Sequence, residues 1–234
     1  AKAEGGNAIA MGQDATAKKQ SDLAIGDGAK ATEGQGTAVG VSASAENAGA
    51  SAYGYPTKAT GYLSTAIGNQ AKSSGSSSVA VGKALASGSK AIAIGDDAKS
   101  TSTETIAVGN AADAGGSQFG IAIGSGAKLN TDPAVIGKNT AIAIGYQAEA
   151  TDLDANAFGR KAKAEGQTSL AIGADSAAKG TSSIAVGSTT KADDEDGIAI
   201  GNKAATGAGH NNTAVGSYSE ANVGWSTALG TRAY

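Results

Sequence analysis

The sequence predicts an all-β fold, a parallel β-solenoid (β-roll) of about 14 residues per turn. The first observation is a short motif, written Ala-Ile-Ala-Ile-Gly at residues 91–95 and again at 141–145. The second is its period, which stays near 14 along the chain and marks a repeat architecture. The third is composition, because aromatic residues are only 4% and 36 glycines accompany abundant alanine. The motif closes at 17 glycines: Gly12, Gly26, Gly40, Gly54, Gly68, Gly82, Gly95, Gly109, Gly124, Gly137, Gly145, Gly159, Gly173, Gly187, Gly201, Gly216 and Gly230.

The residues before each closing glycine predict a β-strand. The residue directly before it is large and apolar in every copy, and the residue two before it is alanine except at Val135. Alternation with a period of two places these residues on opposite faces of a strand. One face therefore requires a large side chain, and the other accommodates little more than a methyl group.

A turn, a second strand and a second turn complete each repeat. The glycine is followed by x-x-Ala-x-Ala, as at Ala29 and Ala31, which again alternates with a period of two. Another turn follows and often contains glycine, as at Gly75 and Gly166. We expect glycine at both corners because it adopts a positive φ without steric penalty.

Repeats of this length bury their apolar face only by stacking in register, as two sheets with alanine methyl groups between them. The large residues then point outward and form an apolar stripe, which monomers rarely expose. We therefore predict a parallel homo-oligomer that packs stripe against stripe; the alternative is a thicker monomeric solenoid with these residues inside. The predicted interface residues are Ile25, Val39, Ile67, Val81, Ile94, Val108, Ile123, Ile144, Ile172, Val186, Ile200 and Val215.

Charge and composition limit the classes of function. The net charge of -3, from 18 basic and 21 acidic residues, predicts no binding to nucleic acid or to an anionic membrane. No apolar run reaches the length of a membrane helix, and the absence of cysteine fits a bacterial surface protein without fixing a compartment. Since the chain begins and ends inside a repeat, we expect one repeat domain over residues 1–234, cut from a longer protein.

Two irregular stretches supply candidate ligand-binding residues. Tyr55 and Tyr62 flank the fourth repeat, where a recognition patch competes with the simpler interpretation that they cover a wide corner. Lys128, Asn130 and Asp132 lie in an enlarged turn, and insertions in solenoids often map to the binding face. Neutral drift is the alternative for this insertion.

No constellation predicts catalysis, a metal site or a cofactor. The acidic run at residues 193–196 lacks the glycine and closing glutamate of a calcium loop, and a solvated turn is the simpler interpretation. His210 is the single histidine, and we interpret it as a loop residue. Trp225 lies in the last repeats, where the alternatives are that it covers the open end of the roll or that it contacts a following domain. Nucleophile and phosphate-loop motifs are missing, so we expect no enzyme.

The repeat units resemble the head repeats of trimeric autotransporter adhesins, the YadA-like head. The resemblance is carried by Ile-Ala-Ile-Gly at 121–124, Ile-Ala-Val-Gly at 106–109 and Leu-Ala-Ile-Gly at 23–26, each followed by x-x-Ala-x-Ala or a near variant. It implies a left-handed roll, a parallel homotrimer and display on the outer membrane of a Gram-negative bacterium. It also implies a coiled-coil stalk and a C-terminal membrane anchor, neither of which is found in this sequence.

The resemblance implies a head that attaches to host matrix proteins of the collagen or fibronectin class, or to cells, and that mediates autoaggregation. A passive spacer that projects other domains is the main alternative. A hexapeptide-type acyltransferase would need a six-residue period, and an ice-binding solenoid would need a regular threonine array. Neither pattern is present.

Overall fold

A computed structural model describes residues 1–129, 140–207 and 209–234. Every regular element in these residues is a β-strand. The chain divides into two compact units, Ala1–Ala111 and Ala112–Tyr234, which are taken in turn. In both units a three-residue strand alternates with a two-residue strand, as the alternating alanine pattern predicts.

Unit 1 contains eight strands of each kind. In chain order they are β1 (Lys2–Ala3), β2 (Ile9–Met11), β3 (Thr16–Ala17), β4 (Leu23–Ile25), β5 (Lys30–Ala31), β6 (Thr37–Val39), β7 (Ser44–Ala45), β8 (Ser51–Tyr53), β9 (Lys58–Ala59), β10 (Thr65–Ile67), β11 (Lys72–Ser73), β12 (Val79–Val81), β13 (Leu85–Ala86), β14 (Ile92–Ile94), β15 (Lys99–Ser100) and β16 (Ile106–Val108).

Unit 2 contains eight three-residue strands and seven two-residue strands among its described residues. They are β17 (Ile121–Ile123), β18 (Lys128–Leu129), β19 (Ile142–Ile144), β20 (Glu149–Ala150), β21 (Asn156–Phe158), β22 (Lys163–Ala164), β23 (Leu170–Ile172), β24 (Ala177–Ala178), β25 (Ile184–Val186), β26 (Lys191–Ala192), β27 (Ile198–Ile200), β28 (Ala205–Thr206), β29 (Thr213–Val215), β30 (Glu220–Ala221) and β31 (Thr227–Leu229).

All strand pairs among the described residues are parallel and join equivalent positions of successive repeats. In unit 1, β10 pairs with β12 so that Ala66 faces Ala80 and Ile67 faces Val81. In unit 2, β27 pairs with β29 in the same way. Three-residue strands pair only with each other, and so do two-residue strands. The predicted parallel β-solenoid is therefore confirmed as an all-β fold with about 14 residues per turn.

The number of turns differs from the number of sequence copies. β17 pairs directly with β19, with Ile121 opposite Ile142. The copy that closes at Gly137 lies outside the described residues. The described chain thus has eight three-residue strands in each unit, one fewer in total than the 17 copies in the sequence.

Alanine fills the interior of both units. The middle residue of every described three-residue strand is alanine, and in most turns it is fully buried. Small residues on the two-residue strands, such as Ala31 in unit 1 and Ala164 in unit 2, are equally buried. Because a protein interior is close-packed, methyl-sized side chains on both strands bring the two sheets close together, and larger side chains are left to the outer faces.

Leu129 is the one large apolar side chain buried in the described interior, at 2% exposed. Its register partner on the next turn is Ala150, which shows the usual residue at this position. Gly120 provides the room, because a Cβ on Gly120 would overlap the Leu129 side chain. The large side chain of Leu129 thus occupies the space that a side chain at Gly120 would otherwise fill.

The closing glycines are required for two reasons. Gly26 has φ +130°, and a Cβ there would overlap the carbonyl oxygen of Gly40 on the next turn. Both features exclude other residues, since only glycine adopts this backbone without strain. This agrees with the predicted role of glycine at the first corner.

At the second corner, the predicted reason holds for Gly34, whose φ is +94°, and is wrong for Gly75. Gly75 does not have a positive φ, but a Cβ on it would overlap the carbonyl oxygen of Gly88. Close stacking of successive turns therefore selects glycine there. The positive φ belongs to the non-glycine residue two positions later, Ser77 at 55°, whose N–H donates to the Tyr62 carbonyl at 2.7 Å.

Candidate interaction surfaces

The outer face of the three-residue strands in unit 1 carries a column of large apolar side chains. Because strand side chains alternate, the residues on either side of a buried alanine both point away from the interior. Ile67 and Ile94 are 42% and 38% exposed, and Ile25, Val39, Val81 and Val108 are half-buried. Register pairing places them one above another, with Val81 between Ile67 and Ile94.

The same column recurs on the outer face of unit 2. Ile123, Ile144, Ile172 and Ile200 are 36–40% exposed, and Val186 and Val215 are half-buried. All twelve residues of the predicted stripe therefore lie on the outer faces of three-residue strands. Whether another chain covers them remains a prediction, developed below.

A second column on these faces was missed by the sequence analysis. The first residue of each three-residue strand shares the outer face with the last, so Ile92 lies beside Ile94 in unit 1 and Ile142 beside Ile144 in unit 2. The same period-two rule that placed the first column would have found this one. Its mixed composition, with Thr37 and Asn156 among the isoleucines, obscured it.

The two-residue strands present a polar outer face. In unit 2 their first residues mix charges, and Lys163 pairs with Glu149 at 2.9 Å. The hydrogen bond and charge of Glu149 raise the pKa of Lys163. In unit 1 the equivalent positions carry Lys30, Lys58, Lys72 and Lys99 without an acidic residue in the column.

The two candidate tyrosines lie in different corners of the roll. Tyr55 is in the turn between β8 and β9, and Tyr62 is in the turn between β9 and β10. Both side chains are more than half exposed. Each corner therefore offers one exposed ring, and the topology does not place the two on one strand face. Their role in ligand binding remains a prediction.

The second candidate group is described only in part. Lys128 is exposed at the start of β18 and faces outward, opposite Glu149 of the next turn. Asn130 and Asp132 lie outside the described residues. A binding role for this segment remains a prediction.

The acidic run is less solvated than the sequence suggests. Asp194 is buried, and one carboxylate oxygen accepts a hydrogen bond from the Asn212 N–H at 3.1 Å. Asp193 pairs with Lys179 at 3.5 Å, and Glu195 lies 3.1 Å from the exposed imidazole of His210. The interpretation as a fully solvated turn was therefore wrong at Asp194, whose carboxylate is enclosed by the stacked corners.

Trp225 is 80% exposed and occupies a corner with φ 65°.

Across residues 1–129, 140–207 and 209–234, no group of three or more histidine, cysteine or acidic residues is arranged to hold a metal ion. In the same part of the chain, no helix has the length and apolar character needed to cross a bilayer.

A comparison with protein families finds one described as the YadA head domain repeat in two copies. Its model matches residues 3–29, 17–43, 59–83, 86–112, 138–155, 153–176 and 178–204. Together these stretches cover about two thirds of the chain. A comparison with curated proteins gives no significant match.

Proposed function

The chain belongs to the YadA head repeat family, and from that premise we propose that it is the head of a trimeric autotransporter adhesin on a bacterial outer membrane. In this proposal three chains form a parallel homotrimer of left-handed rolls. The trimer attaches to host matrix proteins of the collagen or fibronectin class, or to host cells, and promotes autoaggregation. The family is structural and adhesive in character, which agrees with the expectation of no enzymatic role.

The observation that carries the proposal is the pair of apolar columns on the outer faces. At about 1.5–3 kcal/mol for a fully buried aliphatic side chain, an isoleucine that is two-fifths exposed gains roughly 0.6–1.2 kcal/mol when a neighbour covers it. Several such residues in each unit are needed to offset the cost of association, about 4–15 kcal/mol. The regular repetition supplies them, which favours contact along the columns over contact at one point.

Attachment in this geometry depends on repetition. Three chains around an axis present each polar surface three times, so weak contacts act together at a high effective concentration. A collagen-like or fibronectin-like ligand would then be retained without a deep pocket. Shallow polar corners and the faces of the two-residue strands are the surfaces that remain outside such a trimer.

The experiment measures binding of the chain fused to a trimeric coiled coil, with the coiled coil alone as control. Surfaces coated with collagen or fibronectin, cultured epithelial cells, and particles coated with the fusion itself are the three targets. We expect the fusion, and not the control, to bind at least one target, with slower release as ligand density rises. Absence of binding to all three would contradict the adhesive function and favour a passive spacer.

A further inference from the structure

Unit 1 contains a basic groove on the outer face of its two-residue strands. The groove has a volume of about 450 Å³. Its charged lining consists of Lys58, Lys72, Lys83 and Lys99 against a single carboxylate, Asp97. The face is opposite to the apolar columns, because the residues next in sequence to Lys58, Lys72 and Lys99 are buried in the interior. The groove thus stays accessible when another chain covers the apolar columns.

The groove coincides with a turn that is one residue short. Closing glycines are 14 residues apart from Gly68 to Gly82, but 13 apart from Gly82 to Gly95. The neighbouring turns have a left-handed residue at this corner, Gln70 at φ 60° and Asp97 at φ 55°. The turn at Lys83 lacks it, so Gln70 and Asp97 form the walls of the groove.

Three of the four lysines have no acidic partner in the described part of the chain. Lys83 pairs with Asp97 at 2.8 Å, and this contact raises the pKa of Lys83. Among the described residues, Lys58, Lys72 and Lys99 form no ion pair. Lys58 and Lys72 face each other directly in the parallel ladder, an arrangement of like charges that destabilises a sheet.

The fold itself does not require this arrangement. At the equivalent register in unit 2, Glu149 faces Lys163 and forms an ion pair with it. Leu85 separates Lys72 from Lys99 and adds an apolar surface to the floor of the groove. The concavity on the other side of Lys58 is lined by Asp14 and Glu46 together with Lys30 and Lys58, so basic and acidic residues balance there and the basic strip ends.

We propose that this groove binds a linear sulfated polysaccharide, with Lys58, Lys72 and Lys99 contacting successive anionic groups. Adjacent strands are about 4.8 Å apart, so three strand intervals place Lys58 and Lys99 roughly 14 Å apart in a strip one lysine wide. An extended chain of charged sugars fits such a strip, and Leu85 contacts a sugar ring. Lysine suits sulfate as a compact point charge.

A nucleic acid fits this groove less well. Sites for single strands combine basic residues with aromatic side chains on which bases stack, and the lining here contains no aromatic residue. A duplex presents two phosphate strands, for which a strip one lysine wide is narrow. The proposal rests on the adhesive function for its biological setting, because sulfated polysaccharides belong to the matrix and cell surfaces that such a head meets.

The test measures binding of the full 234-residue chain to immobilised heparin over a range of salt concentrations. The groove variant carries Lys58→Gln, Lys72→Gln and Lys99→Gln. The matched control carries Lys161→Gln, Lys191→Gln and Lys203→Gln, which are exposed lysines of unit 2 outside any candidate site and remove the same charge. Circular dichroism and the thermal midpoint establish that both variants fold.

We expect the groove variant to lose heparin affinity on the order of a hundredfold, because a lysine near an anionic surface contributes about fivefold. The control variant should stay within a few-fold of the parent chain, and affinity for desulfated heparin should be far lower. Equal losses in both variants, or an unchanged groove variant, would overturn the proposal. Equal or tighter binding of duplex DNA at the same residues would overturn the choice of a polysaccharide.

The matrix-protein assay separates this inference from the proposed function. If the groove variant loses heparin binding but the coiled-coil fusion binds no matrix protein, cell or copy of itself, the groove stands and the wider adhesive function fails. If the fusion binds matrix protein while heparin binding is absent, the groove proposal alone fails.

Discussion

Gly120 and Leu129 share one space in the interior of unit 2, and changing either should expose their dependence on each other. Gly120→Ala forces a methyl group against the Leu129 side chain and brings it within 2.9 Å of the Ser117 Cβ. Such overpacking costs about 1–3 kcal/mol in the free energy of unfolding. Leu129→Ala removes a buried leucine and leaves a cavity, which costs about 2–5 kcal/mol.

The double variant places alanine at both positions, as the next turn has with Ala141 and Ala150. The added methyl group then partly fills the cavity, so we expect the double variant to be more stable than the sum of the single changes by about 1–3 kcal/mol. The reverse exchange in that next turn is the control. Ala150→Leu alone should destabilise, and Ala141→Gly should reduce the penalty.

The assay is a double-mutant cycle from urea unfolding followed by circular dichroism. A cycle that is additive within about 0.5 kcal/mol would show that the two residues are independent. That result would refute the idea that a fixed methyl-sized volume per turn determines which residues the interior accepts.

Three further changes test the corners and the polar face. Lys72→Glu sets a carboxylate opposite Lys58, and we expect a gain of about 0.2–1 kcal/mol in the free energy of unfolding, together with weaker heparin binding; a loss of stability would contradict the like-charge interpretation. Thr189 is β-branched and has φ 56°, a backbone conformation that asparagine tolerates better. Thr189→Asn should therefore raise the free energy of unfolding by up to about 1 kcal/mol. The same change at exposed Thr181, where φ is not positive, should have little effect on the thermal midpoint. The backbone N–H and the hydroxyl of Thr140 donate hydrogen bonds to Asp154 and lower its pKa. The contribution of Asp154 to the free energy of unfolding is therefore complete above about pH 4 and is lost as the pH falls. Asp154→Asn should flatten the decline of the thermal midpoint below that pH, and an unchanged decline would contradict the assignment.

The strands and their register were predictable because period-two alternation leaves only one way to bury alanine. In Ala-Ile-Ala-Ile-Gly at residues 91–95 the small and large residues cannot exchange faces without filling the interior with isoleucine. The parallel pairing of equivalent residues follows once identical repeats stack. Both features depend on local pattern, which a single sequence displays.

The corners were predictable only in part, because stacking between turns determines what each corner requires. Gly75 and Gly26 look alike in the sequence, yet one is needed for close approach of the next turn and the other for its φ as well. Asp194 appeared to belong to a solvated acidic run, but the corner of a neighbouring turn encloses its carboxylate. The sequence contains no direct signal for either contact.

The basic groove was not predicted because each of its lysines looks ordinary within its own repeat. Lys58, Lys72 and Lys99 all occupy the variable position of the second strand. A lysine at such a position is typical of an ordinary solvated surface. Register brings them onto one strip, and the shortened turn at Lys83 opens the groove beside them. Overall net charge, which is slightly negative, conceals a local basic site of this kind.

The most direct test of the outward apolar columns is the alkylation rate of a single introduced cysteine. The chain has no cysteine of its own, so Ile94→Cys and Lys99→Cys, each in the chain fused to a trimeric coiled coil, report on the two opposite outer faces of unit 1. We predict that the cysteine at position 94 reacts at least about tenfold more slowly, because sister chains cover a side chain that its own chain leaves 38% exposed. Equal rates at the two positions would contradict burial of the columns between chains.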